Sequence, residues 1–264
     1  MVEAPLCPQA ARTQPQTMDS PMIDRPSPIR PTDDEARRQA RTLLRSATHV
    51  PLGVLDPQTG GPFVSRVLMG TMPDGTLTVL VSRLSAHTRA MLADPRVSLL
   101  AGEPGKGDPL AYPRLTVQCL ASPVDPDSDI HQAMRCRFLA RHPKAKLYID
   151  FPDFLFFQLM PQRAAMNGGF GKAFLLDGED LLIRTKLTFA DGKTEAQTIQ
   201  DLGYGLLQII KNPPYHKGQK PKGKVTICGL DASGIDFFWG KRLFRCEFER
   251  EIVSLDTHPS LQSN

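Results

Sequence analysis

Between Pro62 and Val124 apolar and polar residues alternate with a period of two, broken by short polar or glycine-bearing segments. That period is the signature of strands with one face buried. Phe63 to Met72 reads as one strand, with Phe63, Ser65, Val67 and Met69 on one face and Val64, Arg66 and Leu68 on the other. Asp74-Gly75 predicts a tight hairpin turn, because the pair tolerates the positive φ that such turns need. Thr76 to Ser82 follows, with Leu77, Val79 and Val81 set against Thr76, Thr78 and Leu80. Val97–Ala101 and Leu115–Val124 complete the series, separated by a Gly/Pro loop at Glu103–Pro109. The period switches to that of a helix only between Ser85 and Leu92, and Asp94-Pro95 ends it.

Elsewhere the pattern alternates between helix and strand. Thr32-Asp-Asp-Glu35 matches a capping box and starts a helix whose stripe is Ala36, Ala40, Leu43, Leu44 and Ala47. His49 to Asp56 is a short strand that turns at Pro57–Gly61. Asp127 or Ser128 caps a second helix, with Ile130, Met134 and Phe138 four residues apart. Phe154–Leu159 reads as a buried strand that Ala164–Asn167 continues. Gly168-Gly-Phe-Gly171 makes a tight crossing, and Lys172–Leu176 is the last strand of this part. Beyond Leu182, Ile199, Leu202, Leu206 and Ile209 predict one helix from Thr194 to Ile210. A basic Pro/Gly loop at Lys211–Lys224 and three short strands close the chain: Val225–Leu230, Ile235–Trp239 and Leu243–Phe248. Many short strands with helices in their connections predict a mainly β (α+β) fold: a small β-barrel at 32–182 and a smaller α+β domain at 183–264. The proline-rich residues 1–31 are expected to be a disordered leader.

Composition narrows the field. Of 264 residues 41% are hydrophobic and 23% charged, which is ordinary for a globular chain. The net charge is +4 and the pI about 8.8, short of a dedicated nucleic-acid binder. No apolar run is long enough for a transmembrane helix, and no signal-peptide core is present, so a cytoplasmic protein is expected. The five cysteines (Cys7, Cys119, Cys136, Cys228 and Cys246) have no metal spacing and are expected to be free thiols. Cys228 and Cys246 lie on strands expected to be neighbours.

Candidate chemistry concentrates where the Thr76–Ser82 strand meets the next helix. Ser82, Arg83, Ser85, His87, Thr88 and Arg89 surround amides of a first helical turn that lack intrahelical partners. The cluster is either an anion site, with Arg83 and Arg89 adding charge-assisted hydrogen bonds, or a capped surface helix with solvated arginines. Arg66 among apolar neighbours is either at a barrel rim or paired with an anion. Lys172, after the glycine turn, either faces an anion or is solvated. No two histidines have metal spacing, and GxSxG, Walker and GxGxxG signatures are absent. The lysines of the 211–224 loop are either a solvated surface or a contact for an acidic partner.

Three separated motifs carry a family resemblance. Ser82-Arg-Leu-Ser-Ala-His-Thr-Arg-Ala-Met-Leu-Ala-Asp-Pro-Arg-Val-Ser-Leu-Leu100, Gly107-Asp-Pro-Leu-Ala-Tyr-Pro-Arg-Leu-Thr116 and Asn167-Gly-Gly-Phe-Gly-Lys-Ala173 occur in that order. Over about residues 35–182 the chain resembles the haem-utilisation (HugZ-type) branch of the pyridoxamine 5′-phosphate oxidase-like proteins. The resemblance implies an FMN-binding split β-barrel. It also implies a homodimer holding a small anionic cofactor, FMN or haem, at the subunit interface. Its implied cofactor contacts are Arg66, Ser82, Arg83, Ser85, His87, Thr88, Arg89 and Lys172. The chain departs from the family at Leu68-Met69-Gly70, where the oxidases carry a lysine, and at Lys193–Leu202, where the family's C-terminal domain carries histidines. A tail similar to that domain runs from Cys228 to Asp236 and from Arg245 to Phe248.

Two functions follow from these expectations. One is a flavin- or haem-binding protein, an FMN-dependent oxidoreductase or a haem-degrading protein. The other is a non-catalytic barrel that has lost its cofactor and binds or regulates another protein.

Overall fold

A computed structural model describes residues 29–169, 171–189, 193–210 and 223–255. The Pro62–Val124 pattern builds the expected architecture. β2 (His49–Leu55), β3 (Pro62–Thr71), β4 (Leu77–Ser82), β5 (Arg96–Ala101), β6 (Arg114–Pro123) and β7 (Phe154–Asn167) close a six-stranded antiparallel barrel in the order β7-β4-β3-β2-β5-β6, with β6 returning to β7. β8 (Ala173–Asp177) extends the sheet beside β7, and β1 (Ile29–Arg30) pairs parallel with β8. The leader expected at 1–31 lies outside the described residues except at its end, where Ile29 and Arg30 form this short strand.

Alternation decides which side chains fill the barrel. Val67 and Met69 are buried, while Val64, Arg66 and Leu68 face outwards. Leu52, Leu77, Val79, Leu99, Leu115, Val117, Phe157 and Leu159 pack with them in one cluster. β4 departs from the expected pattern because it is buried on both faces. Leu80 joins a second cluster with Met134, Phe138 and Phe156 beneath α3 (Asp129–Arg141). At Gly70 an added Cβ would meet Thr78 Oγ1 at 2.6 Å and the Phe138 ring at 3.1 Å, so α3 closes over β3 only because that position has no side chain.

The helices differ from expectation in detail. α1 (Asp34–Ser46) is capped by Asp33, whose Oδ1 accepts from Ala36 N–H at 2.8 Å. Thr32 donates instead to the Leu175 carbonyl. α2 (Ala86–Ala93) caps one end of the barrel with Thr88, Ala90 and Met91 buried. α3 begins after Ser128, which caps it; Met134 and Phe138 are buried and Ile130 is exposed. The helix expected over Thr194–Ile210 is two, α4 (Glu195–Asp201) and α5 (Gly203–Ile209). They break at Leu202-Gly203, where glycine weakens a continuous helix despite the apolar stripe.

β9 (Val225–Asp231), β10 (Gly234–Trp239) and β11 (Arg242–Glu247) form a separate antiparallel sheet. β10 lies between β9 and β11, so Cys228 and Cys246 are not on neighbouring strands; both are free, as are Cys119 and Cys136. Cys7 and Lys211–Lys222 of the basic loop lie outside the described residues. Among the described residues no helix is long and apolar enough to cross a membrane.

Candidate functional site

The corner singled out in the sequence forms, but its side chains are largely committed within the chain. Ser82 Oγ donates to Asp153 Oδ2 at 2.6 Å and accepts from Leu84 N–H at 3.2 Å. Thr88, fully buried, donates to the Ser82 carbonyl at 2.7 Å. Arg89 donates to the Leu84 carbonyl at 2.9 Å, and Ser85 caps α2 without a side-chain hydrogen bond. His87 Nδ1 lies 3.0 Å from Ser65 Oγ, and burial lowers the imidazole pKa below its ordinary value, so the ring is neutral near pH 7. Arg83 is exposed, with its amide donating to the Asp153 carbonyl at 2.7 Å. The corner therefore presents a carboxylate as well as two arginines, and the residue responsible lies 71 positions downstream of Ser82.

Arg66 follows Ser65, the partner of His87, but its side chain lines a groove of about 720 Å³. It projects from the outer face of β3, where it makes no hydrogen bond or ion pair with the described residues. One wall of the groove is α1, through Gln39, Thr42, Leu43 and Ser46. Its floor is the start of β2 and the end of β5, with Thr48, His49, Pro51, Leu100 and Gly102. The opposite wall is the β10–β11 hairpin, with Lys241, Arg242, Leu243 and Phe244. β2 begins in the groove and runs towards α2, and β5 leaves α2 and ends in the groove, so the two places occupy opposite ends of these strands. The Gly168–Gly171 turn abuts the groove's α1 wall: a Cβ at Gly168 would sit 3.2 Å from Gln39 Oε1. Lys172, after that turn, is exposed.

The groove joins an apolar lining to positive charge. Tyr112, Pro51, Pro104, Pro113, Leu43 and Leu100 are set beside Arg66, Lys241 and Arg242. Tyr112 donates to the Lys106 carbonyl at 2.6 Å and so pins the Gly102–Pro113 loop. Arg242 stacks over Phe244, 5.5 Å from the ring centroid. His49 Nδ1 lies 3.1 Å from Thr48 Oγ1, and its Nε2 lies 3.1 Å from Glu103 Oε1. This combination suits a flat, largely apolar ligand with carboxylates or phosphates at its edge. In the sequence His49 reads only as a strand start, and Lys241 and Arg242 show no local site pattern, because the groove joins segments almost 200 residues apart.

A buried ion cluster fixes the hairpin wall to the barrel. Arg45 from α1, Arg137 and Arg141 from α3 and Arg245 from β11 surround Asp231 and Asp236, with Glu195 and Glu247 at the margin. Arg45, Arg245, Asp231 and Asp236 are each at most 2% exposed. Asp231 accepts two hydrogen bonds from Arg245, at 2.7 and 2.8 Å, and lies 2.7 Å from Arg45 Nη1. Arg137 Nε donates to the Thr71 carbonyl at 2.6 Å, which carries the cluster into β3. Arg245 itself lines the groove.

The closed six-stranded barrel is the split β-barrel fold that the three sequence motifs imply. The sequence model described as "CREG, beta-barrel" matches residues 31–181, and the chain belongs to that family. It is 34% identical over 142 residues to the non-canonical heme oxygenase HOZ of Arabidopsis thaliana, a match covering 53% of this chain and 43% of that protein. It is 29% identical over 161 residues to heme oxygenase HutZ of Vibrio cholerae, covering 58% of this chain and 84% of that protein. The chain thus spans less than half of the Arabidopsis protein. Among solved structures, the Agrobacterium tumefaciens protein Atu2129 matches 84% of this chain and 91% of its own at 29% identity and a TM-score of 0.63. A heme binding protein from Mycobacterium smegmatis matches 86% and 93% at 28% identity and a TM-score of 0.53.

Proposed function

We propose that this chain is a cytoplasmic haem-binding protein of the split-barrel class, working as a homodimer, with the groove between the barrel and the β10–β11 hairpin as the main part of its site. The observation that carries this reading is the groove itself: about 720 Å³, lined in part by the apolar Pro51, Leu100 and Tyr112, with Arg66, Lys241 and Arg242 at its edges and one imidazole within it. Its volume falls within the range of small-molecule sites. The residues present fit haem. Arg66, Lys241 and Arg242 would hold the propionates, while Leu100, Pro51 and Tyr112 would pack on the macrocycle. When bound, haem supplies redox chemistry at iron, including oxygen-dependent haem degradation; the chain supplies position, charge and exclusion of water. The two relatives named heme oxygenases and the heme binding protein support this reading.

The proposed organisation is a barrel at 32–182 and a second unit at 183–264. Val64, Leu68, Leu100, Leu120 and Met160 give the barrel an exposed apolar outer face on which a second copy can sit. A second copy also offers a way for the Ser82–Arg89 corner of one subunit to approach the groove of its partner.

FMN is the second reading. It is favoured by the exposed Arg83 at the start of α2 and opposed by Asp153 at the same corner. Parallel titrations with haemin and FMN, followed by the visible spectrum and flavin fluorescence, separate the two. Saturation by haemin alone at one per subunit is expected. Saturation by FMN alone moves the site to the corner, and saturation by neither leaves a protein-binding barrel. Light scattering should give twice the subunit mass.

A further inference from the structure

We infer that His49 is the residue through which the chain ligates the metal of the group bound in the groove, with Thr48 fixing its tautomer. This rests on the haem reading above and goes beyond it by assigning the ligand. Among the described histidines, His49 is the one that lines the groove. His87 is held under α2 by Ser65, His131 packs edge-on against Phe156, and His142 is buried with Nε2 on the Met69 carbonyl at 2.8 Å. None of those three rings belongs to the groove lining.

The surroundings of His49 suit a ligand. Its side chain is 35% exposed and lines the groove. The backbone is held in the β2–β3 ladder opposite Leu68, which places the ring on a rigid strand. Thr48 Oγ1 lies 3.1 Å from Nδ1, where it can accept Nδ1–H in one tautomer or donate to Nδ1 in the other. The Nδ1–H tautomer would put the lone pair on Nε2 for a metal, and such an outer partner commonly orients a ligating imidazole. Glu103 Oε1 faces Nε2 at 3.1 Å, where a carboxylate accepts Nε2–H, so ligation requires Glu103 to leave and the proton to sit on Nδ1; the Glu103 side chain is 73% exposed on the Gly102–Pro113 loop. Exposed contacts of this kind contribute little, so the carboxylate can swing into water when a metal binds. Glu103 therefore guards the nitrogen without closing it.

The test uses the full chain loaded with haemin, comparing wild type, His49→Ala, His49→Gln and Thr48→Val, each first checked for native circular dichroism. The readouts are the Soret and visible bands, electron paramagnetic resonance of the ferric form and the iron–histidine stretch of the ferrous form by resonance Raman. Wild type is expected to show imidazole ligation. Both His49 variants should lose the iron–histidine stretch, and millimolar imidazole should restore the wild-type spectrum. Thr48→Val should keep the ligand but lower the stretching frequency, a change that loosened packing alone does not produce. A wild-type spectrum in both His49 variants, with haemin still bound, overturns the ligand assignment and leaves the haem reading standing. Failure of wild type to bind haemin overturns both.

Discussion

Replacing Asp231 with Asn tests whether the buried ion cluster holds the hairpin wall against the barrel. The substitution keeps the side chain's size and removes one charge from a group of four arginines and four acids: Arg45, Arg137, Arg141 and Arg245 against Asp231, Asp236, Glu195 and Glu247. Asp231 is 1% exposed and accepts from Arg245 and from Ser233 N–H and Oγ–H, so the variant leaves one uncompensated positive charge away from water. It also turns an amide NH2 towards guanidinium donors. Breaking a buried pair in this way costs about 3–5 kcal/mol. With a urea m-value of about 3 kcal/mol/M, the unfolding midpoint should fall by about 1–1.7 M. Arg45→Met in the same background removes the excess charge, so the double variant should be less destabilised than the sum of the single ones. Acid acts on the same group. Burial opposes the Asp231 charge, but Arg45 and then Arg245 outweigh it and hold the carboxyl well below the usual carboxylate range. Its contribution is therefore full above the unfolded value of about 4 and declines as pH falls from there towards the folded value. A shift in midpoint under 0.3 M, or strict additivity of the two substitutions, would refute the clamp.

Two further outcomes are expected. Burial first of all pushes the His142 imidazole down to about 4, below its ordinary value of about 6.5. The unfolded chain therefore binds the extra proton between those values, and stability should fall by up to about 3 kcal/mol as pH drops from 6.5 to 4. His142→Gln should flatten that slope in urea melts read at several pH values. Gly70→Ala should cost about 1–3 kcal/mol by forcing Thr78 and Phe138 apart, measured as a lower thermal midpoint.

The barrel was legible because its evidence is local. Alternation along β3 and β6, the Asp74-Gly75 turn and the Asp94-Pro95 stop each depend on a few adjacent residues. Errors arose where distant chain decides the outcome. β4 alternates as though one face were open, yet α3, some 50 residues later, covers that face with Phe138. The stripe Ile199, Leu202, Leu206 continues across Gly203, so periodicity alone could not reveal the break. Cap assignment missed by one residue because Thr32 and Asp33 are both good caps, and β8 engaged Thr32.

The site was less legible for the same reason. The Ser82–Arg89 corner is contiguous and was visible as a strand running into a helix. The carboxylate that joins it, Asp153, comes from the turn before β7. Arg45 and Arg245 look in sequence like ordinary solvated arginines, and only the fold buries them. The groove draws on α1, β2, β3, β5, the Gly102–Pro113 loop and β11, and no local pattern announces such a convergence.

The most direct measurement is an equilibrium titration of haemin against wild type and an Arg66→Ala/Arg242→Ala double variant under one set of salt conditions. Exposed charge contacts contribute up to about 1 kcal/mol each, so losing two should weaken binding by up to about thirtyfold. The groove account predicts one haemin per wild-type subunit and that loss in the variant, with the fold unchanged. Equal affinity in the two proteins, or no saturable binding by wild type, would contradict it.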